Sequence, residues 1–258
     1  APDGPRWRVE TSRGVIDARS VIVATGGLSV PATGSDGAGL RWAERLGHTV
    51  HPTYAALAPI VASPAIHAHL SGVSLFARIR ATRDGKTRRT EGGFLFTHRG
   101  YSGPAVLDLG PVAGATVKVA WGRRDAAAWD AALAESTGLV ASTLATELPE
   151  RLVAQLLVDA VVPLDRKGHD LRRAERLALV ERLTAYPLPV SGDEGYKKAE
   201  VTGGGVALDE VDRKTLESLK APGLYFCGEV LDAWGPIGGH NFAWAWATGR
   251  AAGHSASL

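Results

Sequence analysis

Val21-Ile-Val-Ala-Thr-Gly-Gly27 and Gly223-Leu-Tyr-Phe-Cys-Gly-Glu229 are two short apolar runs that end on glycine near opposite ends of a 258-residue chain. Each reads as a buried strand entering a tight turn, the pattern expected of β-branched and aromatic residues bounded by glycine. Glycine at such a corner lets backbone pass where a Cβ would collide with a bulky ligand. Open α/β sheets place ligands at the carboxyl edge of their strands, where these turns fall. Gly238-Gly-His-Asn241 follows the second run and opens an Ala- and Trp-rich helix. The first N–H groups of such a helix suit anionic or carbonyl oxygens. Two corners this far apart in sequence predict one large nucleotide cofactor, a flavin, held between them.

The candidate cofactor-binding residues are Ala24, Thr25, Gly26, Gly27, Gly228, Glu229, Gly238, Gly239, His240, Asn241 and Phe242. Thr25 offers a hydroxyl donor. Glu229, at a strand end, offers a carboxylate to ribityl hydroxyls, as acidic residues do to ribose. The positive end of the last helix would stabilise an anionic reduced ring. Taken singly, each has a plainer reading: Gly26-Gly27 as a turn, Glu229 as a solvated carboxylate, Asn241 as an N-cap. Phe242, Trp244 and Trp246 read first as packing against the sheet. Gly249 costs ~1 kcal/mol inside a helix, which close helix–sheet contact would explain. His240 is the only candidate acid or base beside a flavin, and no catalytic residue is assigned.

Lys and Arg number 29 against 27 Asp and Glu, a net charge of +2, which makes no general case for nucleic acid or an anionic membrane. No apolar run approaches the ~18 residues of a membrane span, and Cys227 is the only cysteine. A cytoplasmic protein without disulfides is expected, and no metal site. His48 and His51 flank a turn, and His67 and His69 could share a strand face without an acidic companion. No Ser/His/Asp arrangement stands out. Arg78, Arg80, Arg83, Lys86, Arg88 and Arg89 surround Asp84-Gly85 and read as a solvated hairpin, only weakly as a phosphate patch.

Outward from the two corners, the pattern is β, then an insert, then β again. Trp7–Thr11 and Val15–Ala18 read as a hairpin, and Val21–Ala24 as a parallel strand covered on both faces. Gly37–Leu46 reads as a helix between a Ser35 or Asp36 cap and a Gly47 stop. From about Leu57 to Ala120 strand candidates alternate with turns: Val73–Ala81, Gly93–Thr97 and Thr116–Trp121. Helices are predicted at Ala126–Glu135, at Pro149–Ala160 with proline in the first turn, and at Leu171–Thr184 capped by Asp170. The last carries Leu171, Ala174, Leu177, Ala178 and Leu183 on a common stripe. Ala199–Leu208 is a β-segment broken by Gly203-Gly-Gly205. A short Arg213–Leu219 helix, the Leu224–Cys227 strand and an Asn241–Gly253 helix close the chain. The expected domains are 1–56 and 196–258 together, with 57–195 inserted.

No G-x-G-x-x-G occurs, and the residues before Val21 cannot hold the ~30-residue βαβ unit that such a phosphate-binding fingerprint needs. The chain also contains no methionine. A fragment whose pyrophosphate-binding unit lies upstream is therefore expected, with poor solubility in isolation because one side of the Val21–Ala24 strand would be bare.

One series of segments is Ala24-Thr-Gly-Gly-Leu-Ser29, Pro31-Ala-Thr-Gly-Ser-Asp-Gly-Ala-Gly39, Gly47-His48 and Phe96-Thr-His-Arg-Gly-Tyr-Ser-Gly-Pro-Ala105. Ala199-Glu-Val-Thr-Gly-Gly-Gly-Val206, Gly223–Asp232 and Gly238-Gly-His-Asn-Phe-Ala-Trp-Ala-Trp246 continue it in order over nearly the whole chain. Together these segments resemble the bacterial BaiN-like, aminoacetone-oxidase-like FAD-binding flavoproteins. The resemblance implies an α/β fold: a Rossmann-like FAD-binding domain, incomplete at its N-terminus, interrupted by an inserted β-barrel and helical domain. It implies an FAD-dependent oxidoreductase passing a hydride between a small organic substrate and flavin, with NAD(P)H as a candidate electron donor. It places Thr25, Gly26 and Gly27 toward the adenosine or pyrophosphate, Gly228 and Glu229 near the ribityl–pyrophosphate region, and Gly239, His240 and Asn241 near the isoalloxazine. Ala56 stands where proline is common, His240 where tyrosine is frequent, and Ala233-Trp234 with Pro236 in a usually smaller, more polar stretch. The alternatives are a fumarate-reductase-like flavoprotein and a cofactor-free binding module.

Overall fold

Residues 7–257 are described by the computed structural model. From the N-terminus, β1 (Trp7–Thr11) and β2 (Gly14–Ala18) form an antiparallel hairpin, followed by β3 (Val21–Val23), α1 (Ala38–Arg45) and β4 (Val50–Ala56). The next strands are β5 (Ile60–Ala62), β6 (Ser74–Arg83), β7 (Lys86–Phe96) and β8 (Gly100–Ser102), then α2 (Pro104–Leu107) and β9 (Thr116–Trp121). Helices α3 (Ala126–Glu135), α4 (Val140–Ala145), α5 (Glu150–Asp159) and α6 (Arg173–Thr184) lead to β10 (Tyr186–Leu188) and β11 (Val190–Asp193). The chain finishes with β12 (Val201–Val206), β13 (Leu224–Phe226) and α7 (His240–Ala256).

Two units emerge: Ala1–Leu57 with Gly195–Leu258, and Ala58–Glu194. The first is built on the parallel pair β3–β13 and the antiparallel pair β4–β12. Its core gathers Val23, Leu40, Ala43, Val206, Phe226, Val230, Leu231 and Ala252. Burial of one such large side chain is worth ~1.5–3 kcal/mol, so the short strands are held chiefly by packing. The second unit carries a sheet of order β10-β9-β6-β7-β8-β5-β11, in which every ladder is antiparallel, with no ladder joining the two outer strands among the described residues. Phe94, Phe96, Tyr101 and Trp121 fill its core beside Trp129, Leu133, Leu144 and Leu156 from the helices.

Local chemistry sets the element ends. The N-cap of α1 is Gly37, at φ 74°, and not the expected Ser35 or Asp36; Asp36 Oδ1 accepts from Ala38 N at 2.8 Å, and Gly47, at φ 87°, stops the helix with N–H to Glu44 O at 3.0 Å. Asp125 caps α3 through Ala128 N at 2.8 Å. In β12 a bulge falls between Gly203 and Gly205. A Cβ on Gly203 would run into the Tyr54 ring, and Gly204 adopts φ 78°, which only glycine takes at little cost.

The structure departs from the sequence reading at several points. Ile22 is 39% exposed, so β3 is covered on one face only. Pro149 is the N-cap of α5 and not its first helical residue. Asp170 ends a separate 3₁₀ turn, Gly168–Asp170, and α6 starts two residues after Leu171, with Glu175 Oε2 accepting from Arg172 N at 2.8 Å. The buried face of α6 is Leu179, Val180 and Leu183, while Leu177 is 52% exposed and Ala174 and Ala178 face solvent. No helix forms at Arg213–Leu219. There Asp212 Oδ1 accepts from Lys214 N and Thr215 N, both at 2.8 Å, and Leu216 turns left-handed at φ 60°. A side-chain-centred turn outcompetes one short helix. His67 is buried and His69 exposed, on a 3₁₀ turn and not a strand.

Candidate functional site

The parallel register pairs Val21 with Leu224, Ile22 with Tyr225 and Val23 with Phe226. Both strands therefore end at the same level, and Cys227 N donates to Val23 O at 3.2 Å. The two glycine corners leave one sheet edge side by side. Helix α7 is fixed to the second corner by two side chains that hold the backbone of Gly228. Thr248 Oγ1 accepts from Gly228 N at 2.9 Å, and Trp244 Nε1 donates to Gly228 O at 3.2 Å. Gly228 takes φ 73°, so the turn needs a residue without a side-chain penalty.

Between these elements lies a cavity of about 340 Å³ lined by Ala24, Gly26, Gly228, Glu229, Gly238, Gly239, Asn241 and Phe242, with Glu200, Val201, Cys227, Ala233, Ile237, Trp244 and Ala245. Its volume lies near the low end for ligand pockets. Gly26, Gly228, Gly238 and Gly239 all have positive φ, at 70°, 73°, 121° and 88°. Much of the wall is thus bare backbone. Glycine at the N-cap leaves α7 without a side-chain cap, and the first-turn residues Asn241 and Phe242 line the space. Uncapped first-turn amides carry the positive end of the helix dipole.

Glu229 is anchored at one end only. Its Oε1 accepts from Thr202 N at 2.9 Å, and a Cβ on Gly27 would come within 2.7 Å of that oxygen. Thr202 itself is buried, and its Oγ1 accepts from Leu28 N at 2.7 Å and Ser29 N at 3.1 Å. One threonine hydroxyl thereby ties the Gly26–Ser29 turn to β12. Thr202 and Thr248 were not picked out by the sequence reading. Each lies far in sequence from the backbone it satisfies, so only a three-dimensional pairing reveals it.

The remaining candidates fall elsewhere. Thr25, Gly27 and His240 do not line the cavity. Thr25 packs on α1, where a Cβ on Gly39 would strike its hydroxyl. Gly27 is buried beneath Thr202 and Glu229. His240 is exposed. Asn241 is not an N-cap: its Oδ1 accepts from Gly235 N at 2.8 Å and its Nδ2 donates to Gly235 O at 2.9 Å, clamping the preceding loop. Phe242 and Trp246 are 68% and 73% exposed and stack on each other at 6.0 Å, so they do not pack on the sheet as expected. Nothing lies within 4 Å of a Cβ built on Gly249, which removes close packing as its reason. Cys227 is buried, and burial pushes its thiol pKa up, against a nucleophilic role.

The first unit also assembles a serine, a histidine and a carboxylate that the sequence did not reveal. His48 Nδ1 lies 3.0 Å from Glu210 Oε2, and its Nε2 lies 2.8 Å from Ser218 Oγ. Ser218 Oγ accepts from Lys220 N at 3.0 Å and Ala221 N at 2.8 Å. Its own proton therefore goes to Nε2, leaving His48 neutral with Nδ1–H donating to Glu210. Burial pulls the His48 pKa down accordingly. Lys220 and Thr49 donate to Glu210 and hold its carboxyl down at about 2. With His48 and Ser218 both buried, the trio is a structural clamp without substrate access.

Among the described residues no group of three or more His, Cys, Asp or Glu could hold a metal, and no helix is long and apolar enough to cross a membrane.

Residues 3–255 match the family described as HI0933-like protein Rossmann domain. The chain is 35% identical over 256 residues to the ribosomal RNA dihydrouridine synthase of Escherichia coli (strain K12), covering 96% of this chain and 63% of that protein. It is 34% identical over 245 residues to the ribosomal RNA dihydrouridine synthase of Haemophilus influenzae (strain ATCC 51907 / DSM 11121 / KW20 / Rd), covering 93% and 60%. The 3-dehydro-bile acid delta(4,6)-reductase of Clostridium scindens (strain ATCC 35704 / DSM 5676 / VPI 13733 / 19) is 32% identical over 255 residues, covering 92% and 62%. The chain thus spans about three-fifths of the length of these curated relatives.

Proposed function

The chain belongs to the HI0933-like Rossmann-domain family, and we propose that it forms the flavin-holding part of an FAD-dependent oxidoreductase that saturates an activated carbon–carbon double bond. The observation that carries this reading is the convergence of two distant glycine corners and an uncapped helix start on one cavity. The backbone-lined wall fits a broad planar group, which needs close approach and few side chains. When bound, FAD supplies the hydride-carrying ring, and the protein's part is to hold and polarise it.

In this reading Gly26, Gly228, Gly238 and Gly239 admit the cofactor. Glu229, whose Oε2 has no hydrogen-bond partner among the described residues, accepts from ribityl hydroxyls. The start of α7 favours the electron-rich edge of the ring. At about 340 Å³ the cavity accommodates part of a dinucleotide, and the pyrophosphate requires further groups.

The names of the relatives point to one type of product. Two are dihydrouridine synthases, and dihydrouridine is uridine carrying two more hydrogens across its ring double bond. The third is named as a reductase of a bile acid. Addition of a hydride and a proton to an alkene conjugated with a carbonyl is chemistry common to a uracil ring and an enone. We assign a uridine in RNA as the substrate, with a small enone as the second reading and a reduced nicotinamide as the electron source.

Titration of the chain with FAD or FMN, read by quenching of flavin fluorescence, tests the cofactor assignment. Gly239→Val and Gly228→Val should each weaken binding at least tenfold by filling the backbone wall. Absence of flavin binding, or binding indifferent to both variants, refutes it. Incubation with a reduced nicotinamide and unmodified ribosomal RNA, followed by nucleoside mass spectrometry, should show uridine gaining two hydrogens.

A further inference from the structure

The near-neutral net charge is an average that conceals one local concentration. In the second unit Arg80 on β6 stands directly opposite Arg89 on β7 and, on its other side, directly opposite Lys118 on β9. Directly opposed residues of an antiparallel pair share a face, with neighbouring strands ~5 Å apart. Three cations therefore stand in one row across three strands, and none of their side chains makes an ion pair or hydrogen bond among the described residues. Like charges directly opposed destabilise a sheet. Elsewhere in the same hairpin the opposed Arg83 and Lys86 are relieved, since Arg83 bonds Asp84 Oδ2 at 3.3 Å and Ala113 O at 3.1 Å. The row has no such relief.

The row lies in a cleft of about 540 Å³ whose charged lining also includes Arg78, Glu91 and Asp125. Neither carboxylate neutralises the row, because Glu91 stands opposite Arg78, two rungs away, and Asp125 Oδ1 is taken up capping α3. Four residues from Arg80 along β6, on the same face and beside the cleft lining, Phe76 carries the Arg123 guanidinium 4.0 Å above its ring. A row of unpaired cations that shares its sheet face with an aromatic–guanidinium pair matches a polyanion that also has stacking faces.

We propose that this face of the second unit binds the phosphodiester backbone of an RNA, with Lys118, Arg80 and Arg89 as the phosphate contacts and Phe76 with Arg123 as a base platform. The proposal rests on the RNA-substrate reading above and adds to it the surface that recognises the substrate class. It explains why a sheet keeps three opposed cations unrelieved: the charge is balanced when phosphate is bound.

The test compares the chain with its R80Q/R89Q/K118Q variant, using a fluorescein-labelled single-stranded RNA and anisotropy from 50 to 200 mM salt. Single strands lose affinity with a log–log slope of roughly −0.7 per phosphate neutralised. Removing three contacts should flatten the slope by about 2 and lower affinity at least about tenfold at 50 mM salt. Flavin affinity should be unchanged and the melting temperature unchanged or raised, because the substitutions remove repulsion. Equal RNA affinity and slope in both proteins overturn this surface while leaving the RNA-substrate reading intact. Failure of the unmodified chain to bind RNA while it binds flavin overturns both. RNA binding that is lost in the variant, in a chain that binds no flavin, supports the surface and refutes only the cofactor assignment.

Discussion

Thr202→Val isolates the tether between the glycine corner and β12. Valine matches threonine in shape, so no cavity opens, but the hydroxyl oxygen that accepts from Leu28 N at 2.7 Å and Ser29 N at 3.1 Å disappears. Thr202 is 1% exposed and Ser29 5%, so water cannot replace it freely. A buried donor left without an acceptor costs ~1–3 kcal/mol. Two such donors, one half-buried, give an expected loss of about 3 kcal/mol. Ser29 Oγ, 3.1 Å from the same oxygen, also loses its partner. Thr202→Ser keeps the acceptor and sheds one methyl, for about 1 kcal/mol. With a urea m-value of ~2 kcal/mol/M, the valine variant should unfold at about 1.5 M lower urea and the serine variant at about 0.5 M lower. Hydrogen exchange should show the Leu28 and Ser29 amides losing protection in the valine variant alone. A valine variant as stable as the serine one, with both amides still protected, refutes the reasoning that one hydroxyl holds this turn.

Acid should act through two buried imidazoles. Burial lowers the pKa of His48 and of His67 below 6.5, so the unfolded chain binds more protons than the folded one as pH falls through 6.5. Stability is then fully present above about pH 7 and declines below about pH 6.5, by up to ~1.4 kcal/mol per pH unit for each group; urea midpoints between pH 7.5 and 5.5 that do not move contradict this. Glu210 adds a separate loss as pH falls from 4.5 toward about 2, its folded pKa. Val161 sits left-handed at φ 57° just after α5, is 84% exposed, and is β-branched. Val161→Gly should therefore raise stability by ~0.5–1 kcal/mol, visible as a higher melting temperature, and a decrease would show that the strain is absent.

The sequence is legible where a local signal and a tertiary demand coincide. Gly47 stops α1 because a glycine just past a helix acts within a few residues, whereas the N-cap is Gly37 and neither Ser35 nor Asp36, its left-handed φ of 74° favouring glycine. The glycine corners were readable because parallel strands that end level must both turn there. Periodicity misled in α6, where Leu177 looks like part of a stripe but faces solvent, and Leu179 with Val180 takes the core. At Arg213–Leu219 helix propensity lost to the Asp212 turn. Of the α7 aromatics expected to pack inward, Trp244 does lie against the core and also donates its indole N–H to Gly228 O, while Phe242 and Trp246 lie outside. The His48–Ser218 clamp was beyond reach, since its members are 170 positions apart and no local rule couples them. The hydrogen-bonded chain from Tyr101 through His67 and Tyr186 to the accepting carboxylate of Asp159 was hidden for the same reason.

The second unit begins on β5 and ends on β11, which pair with each other, and Glu194 N reaches Pro59 O at 2.9 Å. An insert whose own ends are stitched together behaves as a cassette. Once it has folded, the outer unit need close only a few residues of chain and not the whole intervening length, and closure entropy grows with loop length. Damage deep in the cassette, at Trp121 or Phe96, should therefore loosen an outer unit that those residues need never touch.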